Sequence, residues 1–216
     1  MTPTGLDLQA LRVTLNGASV AVLNTTVAPG EVLVVMGPSG SGKSTLLSAI
    51  IGSPPAGFVV TGSVMLNGRD VTHMPTAQRR IGILFQDDLL FPHLSVGQNL
   101  GFGLPAGAGN RTQRNALIDQ ALVDADLAGF APRDPASLSG GQRARVALMR
   151  TLLAGPQALL LDEPFSKLDL ALRDQIRQFV LARAREKGLP VILITHDPTD
   201  AAAAGGRIVF PNGSKP

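Results

Sequence analysis

Three short apolar runs, Val32–Met36, Ala158–Asp162 and Val191–Thr195, recur along the chain between glycine turns and amphipathic stretches. Each is too short for a typical helix and predicts a strand. Val59–Asn67 carries β-prone residues punctuated by glycine and predicts an antiparallel ribbon. Ile81–Phe85 is a further short strand ending at Gln86, and Arg207–Phe210 is the last. Helical patterns fill the spaces between. LLSAIIG follows Thr45 as a helix, and Ser95–Gln98 is a capping box, S-x-x-Q, that opens another. Thr112–Asp126 predicts an amphipathic helix with Ala116, Leu117, Ala121 and Leu122 facing inward. Leu104–Asn110 reads as a connecting loop. Leu170–Lys187 predicts a helix stopped by Gly188, with a core-facing stripe of Leu172, Ile176, Phe179 and Val180.

This alternation predicts an α/β protein in three stretches. Residues 1–86 and 157–216 read as two parts of a nucleotide-binding core, and residues 87–156 as a helical region inserted between them. At 216 residues the chain is long enough to bury a substantial core. It has no cysteine, which excludes a disulfide framework and a thiolate metal site. Its first residues lack the basic start and apolar stretch of a secretory signal. No apolar run approaches the roughly eighteen residues a membrane span needs. The net charge of +3 raises the question of nucleic acid, but there is no Lys/Arg block and no Trp or Tyr for base stacking. The arginines of 143–150 and 173–185 fall at helical spacing and read as a solvated face or as ion pairs between elements. No nucleic-acid partner is expected.

The candidate chemistry begins at GPSGSGKST, Gly37–Thr45, between an apolar strand and a helix. Gly37, Gly40 and Gly42 let the backbone approach phosphate oxygens with no Cβ in the way. The N–H groups of Pro38-Ser39-Gly40-Ser41-Gly42 (proline excepted) and of the first helical turn form an anion site. Lys43 can reach the β- and γ-phosphates, and the Ser44 hydroxyl suits Mg²⁺. The bland alternative, a chance glycine-rich turn, does not account for the full G-x-x-x-x-G-K-[ST] spacing in this strand-to-helix context. LLLDEPFSKLD places Asp162 and Glu163 where an apolar strand emerges, the edge at which open α/β sheets bind ligands. Asp162 can hold Mg²⁺, and Glu163 can polarise an attacking water. LSGGQRARVALMR sets Ser139, Gly140 and Gly141 at the start of an amphipathic helix, a second anion cradle. One chain needs one such cradle for a triphosphate, so the second suggests service to a neighbouring molecule. His196 ends a strand in ITHD, whereas His73 and His93 read as ordinary loop residues.

Taken in order, GPSGSGKST, Gln86, LSGGQ, LLLDEP, SKLD and ITHD resemble the ATPase subunit of an ABC (ATP-binding cassette) transporter, most of all the single-cassette subunits of bacterial importers, including those for thiamine and similar small solutes. The resemblance runs from about Leu8 to Phe210. It implies a P-loop NTPase, RecA-like core with an N-terminal antiparallel β-subdomain and an inserted α-helical subdomain. It makes Gly37 to Thr45 (Gly37, Pro38, Ser39, Gly40, Ser41, Gly42, Lys43, Ser44, Thr45) the Walker A loop and Gln86 the Q-loop glutamine, near Mg²⁺ and the attacking water. Asp162 and Glu163 become the Walker B aspartate and catalytic glutamate, Asp169 the D-loop aspartate and His196 the switch histidine. Ser139, Gly140, Gly141 and Gln142 become the signature that caps the γ-phosphate held by Lys43 of a second copy. The cofactors implied are ATP and Mg²⁺. The implied partners are a head-to-tail homodimer, transmembrane permease subunits that meet Asp87–Gly103, and, indirectly, an extracytoplasmic solute-binding protein. The implied location is the cytoplasmic face of the plasma membrane. Two departures stand out: Leu15 falls where the family stacks adenine on an aromatic, and Lys167 occupies a D-loop position where a small residue is common. Rival readings are an ABC ATPase of translation or DNA repair, which would carry fused cassettes or a coiled-coil insertion, and a non-hydrolysing nucleotide-binding module. The Asp162–Glu163 pair with His196 argues against the second.

Overall fold

The computed structural model describes residues 5–212. Among them the order is β1 (Leu6–Leu15), β2 (Ala18–Val27), β3 (Val32–Met36), α1 (Lys43–Ile51), β4 (Phe58–Leu66), β5 (Arg69–Asp70), α2 (Thr76–Arg79) and β6 (Ile81–Leu84). Then come α3 (Val96–Gly103), α4 (Arg111–Asp124), a 3-10 turn at Pro135–Ser137, α5 (Gly140–Leu153), β7 (Ala158–Asp162), α6 (Leu170–Glu186), β8 (Val191–Thr195), α7 (Pro198–Ala204) and β9 (Arg207–Val209).

Two sheets result. The first is antiparallel, in the order β2-β1-β4-β5. Its hairpins turn at Asn16-Gly17 and Asn67-Gly68, where all four residues have positive φ, as tight two-residue turns require. The second runs β6-β7-β8-β3-β9, with β7, β8, β3 and β9 parallel. Val32–Val35, Ala158–Leu161 and Val191–Ile194 are buried along their whole length. That is why these strands read as continuous apolar runs: a parallel sheet with both faces covered has no solvent side to encode.

The chain forms two compact units. One comprises residues 1–83, 157–163 and 181–216; the other comprises 84–156 and 164–180. In the first, leucines and valines of both sheets pack with Leu46, Leu47 and Ile50 of α1 into one core. Arg79 closes the far end of α1. Its guanidinium, only 5% exposed, donates to the carbonyls of Ala49 and Ile50 and to those of Thr72 and Met74. The Ala49 carbonyl also accepts from the Gly52 amide at 3.1 Å, and the cation adds bonds at this carbonyl-rich, negative end of the helix. In the second unit, α3, α4 and α5 pack together over Val96, Leu100, Leu122, Val146 and Leu148.

The helix over 112–126 differs from its expected face. Ala121 and Leu122 are buried, but Ala116 and Leu117 are exposed. The turn preceding Ala121–Leu122 meets the core with Ile118, half-buried, so its face is rotated from the predicted one. The helix also starts at Arg111, because Asn110 and Gln113 form a capping box within what reads as a loop end. Strand ends at Phe85 and Phe210 fall one residue earlier than expected.

Candidate functional site

The geometry of the phosphate loop begins at the C-terminal end of β3. Gly42, at φ 89, is the N-cap of α1 and brings no side chain to its open N–H groups. A Cβ at Gly42 would sit 2.8 Å from Val20 Cγ1 and 2.9 Å from Val20 O, so only glycine lets the loop lie against β2. Lys43 is only 5% exposed and folds back on its own loop, its Nζ donating to Gly37 O at 2.8 Å and Pro38 O at 2.9 Å. Ser41 Oγ is buried with no hydrogen-bond partner. An orphaned hydroxyl and an uncapped helix start, beside a buried ammonium, suit an anionic ligand.

Two strand ends bring acid and histidine to this lysine. Glu163 Oε1 lies 3.8 Å from Lys43 Nζ, and Glu163 Oε2 lies 3.0 Å from His196 Nδ1. The Glu163 amide donates to Ile194 O at 3.0 Å, which ties the end of β7 to β8. Glu163 itself sits at φ 46, in the left-handed region, directly before Pro164. A non-glycine residue held there stores about 1–3 kcal/mol of strain and marks a position its surroundings dictate. Ser44 Oγ donates to Asp162 Oδ1 at 3.1 Å. Burial pushes the Asp162 carboxyl above its ordinary range, and the Glu163 charge adds to this; the Ser44 hydrogen bond and Lys43 oppose it. Among the described residues no three His, Asp or Glu side chains gather as a metal cage. One hydroxyl and one carboxylate are nevertheless what Mg²⁺ uses when phosphates and water complete its shell, so the donor set fits that ion.

Lys43, Ser44, Asp162, Glu163 and His196 are thus brought together within the first unit. The rest of the phosphate loop lies in the same unit, whereas Gln86, Ser139, Gly140, Gly141, Gln142 and Asp169 belong to the second. Gln86 is exposed and borders a cavity of about 390 Å³ with Asp87, Asp88, Gly140, Arg143 and Lys167. Ser139 is the N-cap of α5, in a capping box with Gln142: Gln142 N donates to Ser139 Oγ at 3.3 Å and Ser139 N to Gln142 Oε1 at 3.0 Å. A Cβ on Gly141 would lie 2.5 Å from Leu172 Cδ1, whereas one on Gly140 would meet nothing nearer than 3.6 Å. Asp169 accepts from Leu172 N at 3.0 Å at the start of α6. Leu15 ends β1 half-buried, opposite Ala18 of β2 and Phe58 of β4. The motifs did not point to Phe58, since only strand register sets it beside Leu15. They also did not point to Arg79 or to the arginine contacts of Asp88, which join residues far apart in sequence.

A strand, a glycine-rich turn and a helix carrying Lys43, faced by carboxylates at a neighbouring strand end, are consistent with a P-loop nucleoside triphosphatase. The model of the ABC transporter family matches residues 20–166. The chain is 55% identical over 181 residues to the uncharacterized ABC transporter ATP-binding protein YnjD of Escherichia coli (strain K12), covering 84% of this chain and 83% of that protein. It is 40% identical over 207 residues to the thiamine import ATP-binding protein ThiQ of a Chelativorans species, covering 95% and 82%. Against the sulfate/thiosulfate import ATP-binding protein CysA of Gloeobacter violaceus it is 41% identical over 194 residues, covering 90% of this chain and 56% of that longer protein. The chain belongs to the ABC transporter family, as an ATP-binding, ATP-hydrolysing subunit. Among the described residues no helix is long and apolar enough to cross a membrane.

Proposed function

We propose that this chain is one of two identical cassettes that close on ATP, hydrolyse it and thereby drive a membrane permease. The observation that carries the reading is Glu163, positioned between Lys43 and His196 at the mouth of the phosphate loop. In this reading residues 1–86 and 157–216 are a RecA-like core with an antiparallel β-subdomain, and 87–156 an inserted helical subdomain.

Gly37–Thr45 wraps the phosphates of ATP. Lys43 exchanges the carbonyls of Gly37 and Pro38 for β- and γ-phosphate oxygens, an exchange of neutral acceptors for charged ones and hence a stronger hydrogen bond. Ser44, Asp162 and Gln86 would hold Mg²⁺, which when bound neutralises phosphate charge. Glu163 takes a proton from water as that water attacks the γ-phosphorus. The bond from this phosphorus to the β–γ bridging oxygen breaks, and ADP and phosphate leave. His196 steadies the γ-phosphate. Ser139, Gly140, Gly141 and Gln142 of the partner cassette close over the same phosphate, and Asp169 lies at the seam. Positioning and charge stabilisation are most of the catalysis in phosphoryl transfer, so a half-site lacking these donors is slow.

Two relatives named for import support assembly with transmembrane permease subunits and, indirectly, with an extracytoplasmic solute-binding protein. The cassette would then work at the cytoplasmic face of the plasma membrane, and its partners would select the solute. Glu163→Gln tests the assignment. It should still bind ATP, lose turnover about 100-fold or more, and accumulate as ATP-bound dimers in size-exclusion chromatography. Turnover at the wild-type rate would remove Glu163 from its role.

A further inference from the structure

One cluster of charge lies just after Gln86, within the second unit. Lys167, two residues before Asp169, pairs with the Asp87 carboxylate. Arg143, in the first turn of α5, lies 3.7 Å from the Asp88 carboxylate. Arg150, near the end of the same helix, donates to Leu89 O at 2.9 Å and to Asp88 O at 3.3 Å, and lies 5.3 Å from the Phe91 ring centroid. Asn99 is fully buried, accepts from Phe91 N at 2.8 Å and donates to the carbonyls of Phe91, Leu94 and Ser95.

These bonds hold a segment that would not keep its shape alone. Leu89 sits at φ 45, where a branched side chain is strained, and its side chain is 56% exposed. Core burial therefore cannot be what fixes it, and a strained residue persists only where its neighbours determine it. The guanidinium fork of Arg150 bonds the two successive carbonyls through two different nitrogens, and one of these also reaches Asn99 Oδ1 at 3.4 Å. Desolvation lowers Arg150 below its ordinary range and raises Asp88 above its own, so both have given up water for this arrangement. The Asp87–Lys167 pair is more exposed and is the weaker tie.

We infer that Asp87 and Asp88 form a two-way junction: Arg143 and Arg150 tie residues 87–94 to α5, which starts at the Ser139 signature, and Lys167 ties them to the run that leads to Asp169. A load on residues 87–94 is then delivered to both motifs assigned to the partner cassette. Arg143, Arg150 and Lys167 act as positioning residues. The junction rests on the contacts alone; its use in transmission rests on the proposed docking of a permease on this segment.

Hydrogen–deuterium exchange on the full-length chain tests the junction first. In Arg150→Gln the amides of residues 88–94 should exchange at least tenfold faster, with those of β1, β2 and β4 unchanged and free-chain ATPase within about twofold of wild type. Arg150→Lys should restore protection only in part, because one nitrogen then replaces the two that bond these carbonyls. Unchanged exchange over 88–94 overturns the junction. The second arm uses the detergent-solubilised complex recovered from membranes with the tagged full-length chain. Turnover of the Arg150→Gln complex should fall at least fivefold, and Asp87→Lys with Lys167→Asp should recover what either single reversal loses. Wild-type turnover in the Arg150→Gln complex overturns transmission. Failure of the wild-type chain to recover any membrane subunit overturns the permease reading and transmission with it, and exchange still decides the junction.

Discussion

The starts of α1 and α5 are both glycine-rich, yet they treat their open N–H groups in opposite ways. Gly42 caps α1 with backbone alone, and no side chain satisfies the first turn. Ser139 and Gln142 close α5 reciprocally, each bonding the other's backbone. The first terminus demands an external acceptor. The second satisfies two donors of its own, Ser139 N and Gln142 N, before any acceptor arrives. Their glycines differ as well: neighbours crowd Gly42 and Gly141, whereas a Cβ on Gly140 would make only ordinary contacts with Leu168 and Arg143. The difference suits the proposed roles, in which the α1 start holds ligand in a single chain and the α5 start waits for a second one.

The comparison breaks most decisively at Lys43. Lys43→Ala should lower ATP turnover at least 100-fold, since charge stabilisation at the phosphates is worth about 2.7 kcal/mol or more, and steady-state hydrolysis would reveal it. Undiminished turnover would leave the α1 start as an ordinary turn. Ser139→Ala should lower turnover about tenfold while ATP binding to the separate chain, followed by calorimetry, stays as in wild type. Loss of binding there would mean that the α5 start serves its own chain. The replacement also removes a helix cap, worth about 1 kcal/mol, so a small drop in Tm should accompany it. Leu15→Tyr probes the far end of the first cradle. Stacking on an aromatic adds about 1 kcal/mol per base at the low end of its range, so ATP should bind roughly fivefold more tightly, and selectivity over GTP should rise. If the wild-type chain already prefers ATP strongly, Phe58 opposite Leu15 is the residue to examine.

The smallest effect is on stability. The folded carboxyl of Asp162 is raised mainly by desolvation, so it binds its proton more tightly in the folded than in the unfolded chain. Its contribution is therefore most favourable at low pH and is lost as pH rises through the folded value. Asp162→Asn should raise Tm by about 2 °C at pH 7 without nucleotide and flatten the decline above the ordinary carboxylate range, as a thermal melt series would show. A lower Tm at pH 7 would mean that the bond from Ser44 outweighs the buried charge.

Much of this was legible in the sequence because the signals are local. The phosphate loop, the Ser95 and Ser139 caps and the five-residue apolar strands each lie within one short continuous stretch of sequence. The same rule would have found Asn110 and Gln113. What local pattern could not show is which turn of a helix the core accepts: Leu117 is as apolar as Leu122, but only Leu122 has neighbours to cover it. The site contacts are also distant in sequence. Ser44 and Asp162 are 118 residues apart, and nothing in either segment names the other. The motifs identify the participants, whereas the strand order that seats β8 beside β7 sets Glu163 against His196.

The buried guanidinium beneath α1 has a consequence for how this sequence can drift. A methyl group on Gly52, which ends that helix at φ 81, would fall 2.4 Å from three atoms of Arg79. The two positions occupy one space and must be inherited as a couple: a larger residue at 52 evicts the cation, and a shorter one at 79 leaves a hollow with uncapped carbonyls. A laboratory library that varies either site alone should return almost only the starting residue, while a library varying both at once could discover another solution.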